Sequence, residues 1–259
     1  RPGVAPTPVA PAPDDPALSA FNTLWQSHDA TGAPVNPVAK LCQWVGPSLT
    51  DLDDDGKPEA LLEGWVFDRT GLMIDSSLGL LSKPMGHDGG QFLVVADVDR
   101  DGSPELITPR ALSRWSRPGA RWEQLQSYSG TKGTDEFAAV ADFGAVVNGK
   151  LDRSRRDGVA EVAVISHGKA WILALDGTFV YGPVANPGSI DRGGGPPTIG
   201  DFDGDGRAEL AAAGSSSFTV FDPDCAPGGD LKTCPSGRTD GVLWTSRSQD
   251  QSSNDTGSS

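Results

Sequence analysis

Short apolar runs recur along the chain, and glycine, proline or aspartate breaks each one within a few residues. "EALLEGWVF", "QFLVVAD", "PELITPR", "VAEVAVI", "KAWILAL", "TFVYG", "PPTIGD" and "AELAAAG" all read this way. None carries the 3.6-residue periodicity of a helix, so the runs predict short strands. Asp176-Gly177, between "KAWILAL" and "TFVYG", is a hairpin signal, and Pro118-Gly119 within "LSRWSRPGARWEQL" marks a second. "GWVFDRTG" and "SSFTVFDPD", the latter followed by "GVLWTS", stand in equivalent places in other parts of the chain.

Between strands the polar residues repeat as D-x-D-x-D-G-x-x-E, in "DLDDDGKPE", "DVDRDGSPE" and "DFDGDGRAE". Asp51, Asp97 and Asp201 hold position 1; Asp53, Asp99 and Asp203 position 3; Asp55, Asp101 and Asp205 position 5; Glu59, Glu105 and Glu209 position 9. Hard cations such as calcium take six to eight oxygen ligands, and carboxylates at alternate positions of a tight turn supply them. At position 7, Lys57, Ser103 and Arg207 offer a backbone carbonyl. The glycine at position 6 permits the turn. An EF-hand starts alike but needs a bidentate Glu at position 12 and flanking helices. Here position 12 is Leu62, Thr108 and Ala212, and the flanks read as strands.

A fourth copy is interrupted. "ADFGAVVNGKLDRSRRDGVAEVAVI" opens and closes like the others, with residues 144–153 inserted between the halves. Asp142, Asp157 and Glu161 remain as ligand candidates, with Asp152 a candidate for the missing middle carboxylate and "RSRR" expected at the rim. Three calcium sites are therefore expected and a fourth is possible. The position-1 aspartates fall at 51, 97, 142 and 201, steps of 46, 45 and 59 residues. Each unit has room for four strands, which predicts an all-β fold of β-propeller blades. Leu24-Trp25-Gln26-Ser27 resembles Leu243-Trp244-Thr245-Ser246, so residues 17–50 are expected to end an earlier blade and the ring to be incomplete. The expected division is a Pro/Ala-rich linker over 1–16, blades over 17–250 and a polar tail over 251–259.

The formal charge of the 259-residue chain is −14, much of it in these loops, and this acidity argues against nucleic acid as a partner. No apolar run is long enough for a transmembrane helix, so no membrane insertion is expected. Cys225 and Cys234 bracket the Gly/Pro-containing loop "CAPGGDLKTC", and in an oxidising compartment they would close it with a disulfide. Cys42 is left over. That bridge, together with the millimolar calcium found outside cells, predicts a secreted or surface-exposed protein.

"GPSLTDLDDDGKPEALL", "FLVVADVDRDGSPEL", "FAAVADF" with "DGVAEVAVI", and "GGGPPTIGDFDGDGRAEL" resemble the FG-GAP (VCBS-type) repeats of integrin α-subunit-like β-propellers, most of all bacterial secreted members. The resemblance covers roughly residues 40–250. It implies calcium held between neighbouring strands of a blade by the acids of the three intact loops, and a ring of about seven blades, of which four loops are a part. The function it implies is an extracellular binding or adhesion module for a protein or polysaccharide ligand, without catalysis. The alternatives are the propeller portion of a secreted polysaccharide lyase or hydrolase, a lectin, or a spacer. His28, His87 and His167 are isolated, "GHDGG" at 86–90 reads as a glycine turn, and no nucleophile or metallohydrolase motif is present. Trp25, Trp44, Trp65, Trp115, Trp122, Trp171 and Trp244 are expected mainly to pack between blades, with sugar stacking the alternative.

Overall fold

A computed structural model describes residues 26–35, 47–62, 64–78, 93–128, 136–187, 194–214, 216–229 and 232–247. Trp25, Cys42, Trp44, His87, the 1–16 linker and the 251–259 tail lie outside them. The described chain is all-β: four four-stranded antiparallel sheets, three of them formed from consecutive strands, plus one two-stranded hairpin. Sheet 1 contains β1 (Ser48–Thr50), β2 (Glu59–Leu62), β3 (Trp65–Phe67) and β4 (Met73–Asp75). Sheet 2 contains β5 (Val94–Ala96), β6 (Glu105–Thr108), β7 (Ala111–Ser116) and β8 (Arg121–Ser127). The insertion forms the separate hairpin of β10 (Ala145–Val147) and β11 (Lys150–Asp152). It interrupts sheet 3, made of β9 (Phe137–Ala141), β12 (Glu161–Ser166), β13 (Lys169–Leu173) and β14 (Phe179–Ala185). Sheet 4 contains β15 (Thr198–Gly200), β16 (Glu209–Ala213), β17 (Ser217–Phe221) and β18 (Val242–Arg247).

The aspartate loop joins the first and second strands of every sheet, and its register is constant. The residue before position 1 pairs with the acid at position 9: Thr50 with Glu59, Ala96 with Glu105, Ala141 with Glu161 and Gly200 with Glu209. A one-residue slip would turn a buried carboxylate to the opposite face, so this register is strongly specified. The insertion leaves it intact because the additional residues pair with each other and not with sheet 3.

The sheets stack face to face in chain order. Leu52, Leu61 and Val66 of sheet 1 meet Leu106, Trp115 and Trp122 of sheet 2. Val98, Ile107 and Leu112 of sheet 2 meet Val162, Val164 and Leu173 of sheet 3. Ala163, Ile165 and Ile172 of sheet 3 meet Leu210, Ala212 and Phe221 of sheet 4. The second strand thus alternates between two cores, which is why all six residues of β12 are buried. No core cluster joins sheet 1 to sheet 4 among the described residues, and the blades do not close into a ring. Residues 26–35 lie beside sheet 1, where His28 N–H donates to Gly71 and Met73 N–H donates to His28.

Cys225 and Cys234 form a disulfide, and the loop they close packs with Ala211, Val220 and Leu243 on the far face of sheet 4. Trp115 and Trp122 meet edge-on and buried in the interface between sheets 1 and 2. Trp171 borders the next interface, and Trp244 is 39% exposed.

Trp115→Ala should lower the unfolding free energy by about 3–5 kcal/mol, whereas Trp244→Ala should cost far less; urea denaturation measures both. Peptide mapping without reductant should recover Cys225 and Cys234 in one linked fragment. Replacing both by serine should cost about 2–3 kcal/mol, the value for so short a closed loop.

Candidate metal centres

Each intact aspartate loop is wound around its own backbone N–H groups in the same way. The position-1 carboxylate accepts from the position-6 glycine: Asp51 from Gly56 at 2.8 Å, Asp97 from Gly102 at 3.0 Å and Asp201 from Gly206 at 2.9 Å. The position-3 carboxylate accepts from position 5: Asp53 from Asp55, Asp99 from Asp101 and Asp203 from Asp205, at 3.1–3.2 Å. Position 5 accepts from position 7: Asp55 from Lys57, Asp101 from Ser103 and Asp205 from Arg207, at 2.8–2.9 Å. Position 9 reaches back to the N–H of position 2: Glu59 to Leu52, Glu105 to Val98 and Glu209 to Phe202, at 2.8–3.0 Å. These are Asx-type turns within the short span of the loop.

Gly56, Gly102 and Gly206 have φ of +81°, +88° and +84°, the left-handed region that the sequence assigned to glycine. Position 4 is left-handed as well, at Asp54 (66°), Arg100 (63°) and Gly204 (84°), and only the last loop has glycine there. The motif's spacing did not show that second requirement.

At positions 3, 5 and 9 one oxygen of each carboxylate is held by the backbone and the other is left for a further partner, whereas Asp51 and Asp201 at position 1 accept backbone N–H groups on both oxygens. Carboxylate oxygens of Asp51, Asp53 and Glu59 lie within 4.8 Å of one another. The same is true of Asp97, Asp99 and Asp101, and of Asp201, Asp203 and Glu209. Burial raises the carboxyls of Glu59 and Glu105, and pushes Glu209 up to about 7. Asp203 Oδ2 is buried and has no hydrogen-bond partner. Convergent hard oxygens, buried acids at position 9 and an orphaned buried carboxylate oxygen fit a calcium-type cation.

The interrupted loop keeps most of the frame. Asp142 accepts from Gly158 at 2.8 Å, Asp157 from Val159 at 3.0 Å and Glu161 from Phe143 at 2.8 Å, matching positions 1, 5 and 9. Burial pushes Glu161 up to about 7, and Asp142 Oδ1 is buried without a partner. Asp142, Asp157 and Glu161 do not form a close acidic cluster among the described residues. Asp152 faces its own turn, accepting from Ser154 and Arg155.

The arginines are what sequence reasoning missed. Of "RSRR", expected at the rim, Arg153 is buried instead, with 6% of its side chain exposed. Its guanidinium reaches into the next blade, to Glu209 at 3.0 Å, Asp222 at 3.3 Å, Asp224 at 3.1 Å and the Ala208 carbonyl at 2.6 Å. Three buried acids draw it in, because burying any of them uncompensated is costlier than burying the arginine with them. Arg156 donates to the Gly206 carbonyl at 2.6 Å. In sheet 2, Arg114 contacts Asp99, Asp101 and Glu105. An arginine nine residues after a position-9 acid, across the turn between β6 and β7, makes that contact. Beside the insertion an open cleft of 610 Å³ is lined by Lys150, Arg153, Tyr181, Arg207 and Asp224.

Arg153→Ala should destabilise the protein by about 3–5 kcal/mol, since it strands buried acids. Arg155→Ala, on an exposed side chain, should leave the denaturation midpoint unchanged.

Residues 156–212, from the end of the insertion through the fourth loop into β16, match the FG-GAP-like repeat family. No curated protein matches the chain. Among solved structures, the chain is similar to the V. cholerae biofilm matrix protein Bap1, with 16% identity and a TM-score of 0.45, over 78% of this chain and 28% of that one. It is also similar to BBS1N, in a structure of its complex with ARL6DN, with 11% identity and a TM-score of 0.41, over 71% of this chain and 55% of that one. The chain therefore spans less than two thirds of either protein. No helix among the described residues is long and apolar enough to cross a membrane. Residues 156–212 of this all-β chain carry an FG-GAP-like repeat.

Proposed function

We propose that the chain is a calcium-binding, extracellular β-propeller module that binds or adheres to a protein or polysaccharide and carries no catalysis of its own. The observation that supports this best is the repeated cradle. Backbone hydrogen bonds hold the acids of each intact loop in the same way, and in the first and fourth loops they bring oxygens of Asp51, Asp53 and Glu59, and of Asp201, Asp203 and Glu209, within 4.8 Å of one another. Asp51, Asp53, Asp55 and Glu59 would hold one ion, and Asp201, Asp203, Asp205 and Glu209 another. The carbonyls of Lys57 and Arg207 would complete them. Bound calcium would offset two negative charges of the loop that holds it and tie the first strand of the blade to the second. The FG-GAP-like repeat and the Cys225–Cys234 bridge are consistent with a location outside the cell. A partner would meet the loops that connect strands and blades.

Calcium that binds only the folded chain should raise the melting temperature, and chelator should lower it. At one hundred times Kd, each site contributes about 2.7 kcal/mol, or roughly 5–10 °C for a domain of this size. An unchanged melting temperature in excess chelator would rule out the calcium reading. Asp203→Ala should remove part of the calcium-induced shift in differential scanning fluorimetry, and Glu123→Ala, on an exposed strand, should not.

A further inference from the structure

The second loop differs from the others in what meets its remaining oxygens. Arg114 lies on β7, paired with Glu105 across the β6–β7 ladder. Its Nη2 donates to Asp99 Oδ2 at 2.5 Å and lies 2.9 Å from Asp101 Oδ2, while Nε donates to Glu105 Oε1 at 3.0 Å. These are the oxygens that the backbone leaves over, since Asp99 Oδ1, Asp101 Oδ1 and Glu105 Oε2 already accept from N–H groups. One guanidinium thus bridges positions 3, 5 and 9, where a metal ion would have to sit.

The other loops are met differently. In the first, Lys57 holds Asp55 alone. In the fourth, Arg207 holds Asp205 and Arg153 holds Glu209, two cations on two acids, and Asp203 Oδ2 keeps no partner. Continuing the ladders by one residue puts Asp68 beside Glu59, Ala174 beside Glu161 and Asp222 beside Glu209, none of them a cation. An arginine at this place belongs to sheet 2 alone. Arginine stays protonated at any physiological pH, and its planar fork matches carboxylates in fixed directions.

We infer that Arg114 is a built-in counter-cation that takes the ion's place in the second loop, so that this blade is held without metal while the first and fourth loops take calcium. The inference rests on the reading of those two loops as cation sites.

The test compares wild type with Arg114→Gln. In calorimetric titration with calcium, Arg114→Gln should bind one more ion per chain than wild type, and Arg114→Gln/Asp99→Asn should return to the wild-type count. Equal counts for wild type and Arg114→Gln, with calcium bound by both, overturn the inference. Binding by neither protein refutes the cation reading itself, and the arginine is then judged by melting in chelator. There Arg114→Gln should melt at least about 4 °C below wild type, and equal melting temperatures overturn its role. Should the variant not fold, crystals of the wild type soaked in terbium decide. Anomalous scattering at the first and fourth loops and not at the second supports the inference, and a terbium ion between Asp97, Asp99 and Asp101 overturns it.

Discussion

The structure depends on a buried glutamate at the head of the second strand of each blade. Glu105, Glu161 and Glu209 are 0–1% exposed and Glu59 is 8% exposed. Each accepts one backbone N–H from the residue that follows the position-1 aspartate. That bond fixes the loop against the strand and sets the register on which the alternation of core residues depends. In β16, Leu210 and Ala212 then point toward sheet 3 while Ala211 points away, and every blade contributes to its neighbour's core through this one alignment. The bond also creates an electrostatic problem, because a carboxylate at such depth is only part-way compensated by backbone N–H groups.

The blades solve that problem differently. Sheet 2 supplies a guanidinium from its own third strand. Sheet 4 borrows one from the preceding blade, through an insertion whose hairpin delivers Arg153 to Glu209. Sheet 3 has neither: Ala174 stands where Arg114 stands in sheet 2, and Glu161 is pushed up to about 7 by burial. Sheet 1 gathers Asp51, Asp53 and Glu59, with Lys57 held on Asp55. A repeated motif therefore does not mean a repeated site. The same acids at the same spacing meet different positive charges, contributed by residues outside the motif.

Most of the architecture was legible in the sequence for a physical reason. Strand boundaries follow from Gly, Pro and Asp breaking short apolar runs. "VAEVAVI", "KAWILAL" and "TFVYG" became β12, β13 and β14, with the turn at Asp176-Gly177. The aspartates at positions 1, 3 and 5 were legible because they bond within nine residues of themselves. The arginines were not, since Arg153 meets Asp222 and Asp224 about seventy residues later in the chain, and no local pattern encodes such a contact. "RSRR" read as a solvated charge run because that is the usual fate of clustered arginines. Three buried acids in the adjacent blade reverse the preference for the first of them. The insertion was readable as an interruption; Asn148-Gly149, left-handed at both residues, marked its self-paired hairpin, but β10 and β11 are only three residues each and give little strand pattern around that turn.

Arg153 also makes the insertion more than a tolerated interruption. Its guanidinium sits between sheets 3 and 4, bonded to Glu209, which is a candidate ligand of the fourth loop, and to Asp222 and Asp224, which precede and follow the start of a 3-10 turn at Pro223–Cys225. The carboxylate that would hold an ion and the cation that joins two blades are thus in direct contact. Any ion that draws charge from Glu209 changes what Arg153 gains there, and any strain on the interface changes Glu209 as a ligand. By thermodynamic reciprocity the two must be coupled in both directions. The fourth loop is therefore part of the joint between two blades. Among the described residues, the acids of the first loop meet no arginine from another blade.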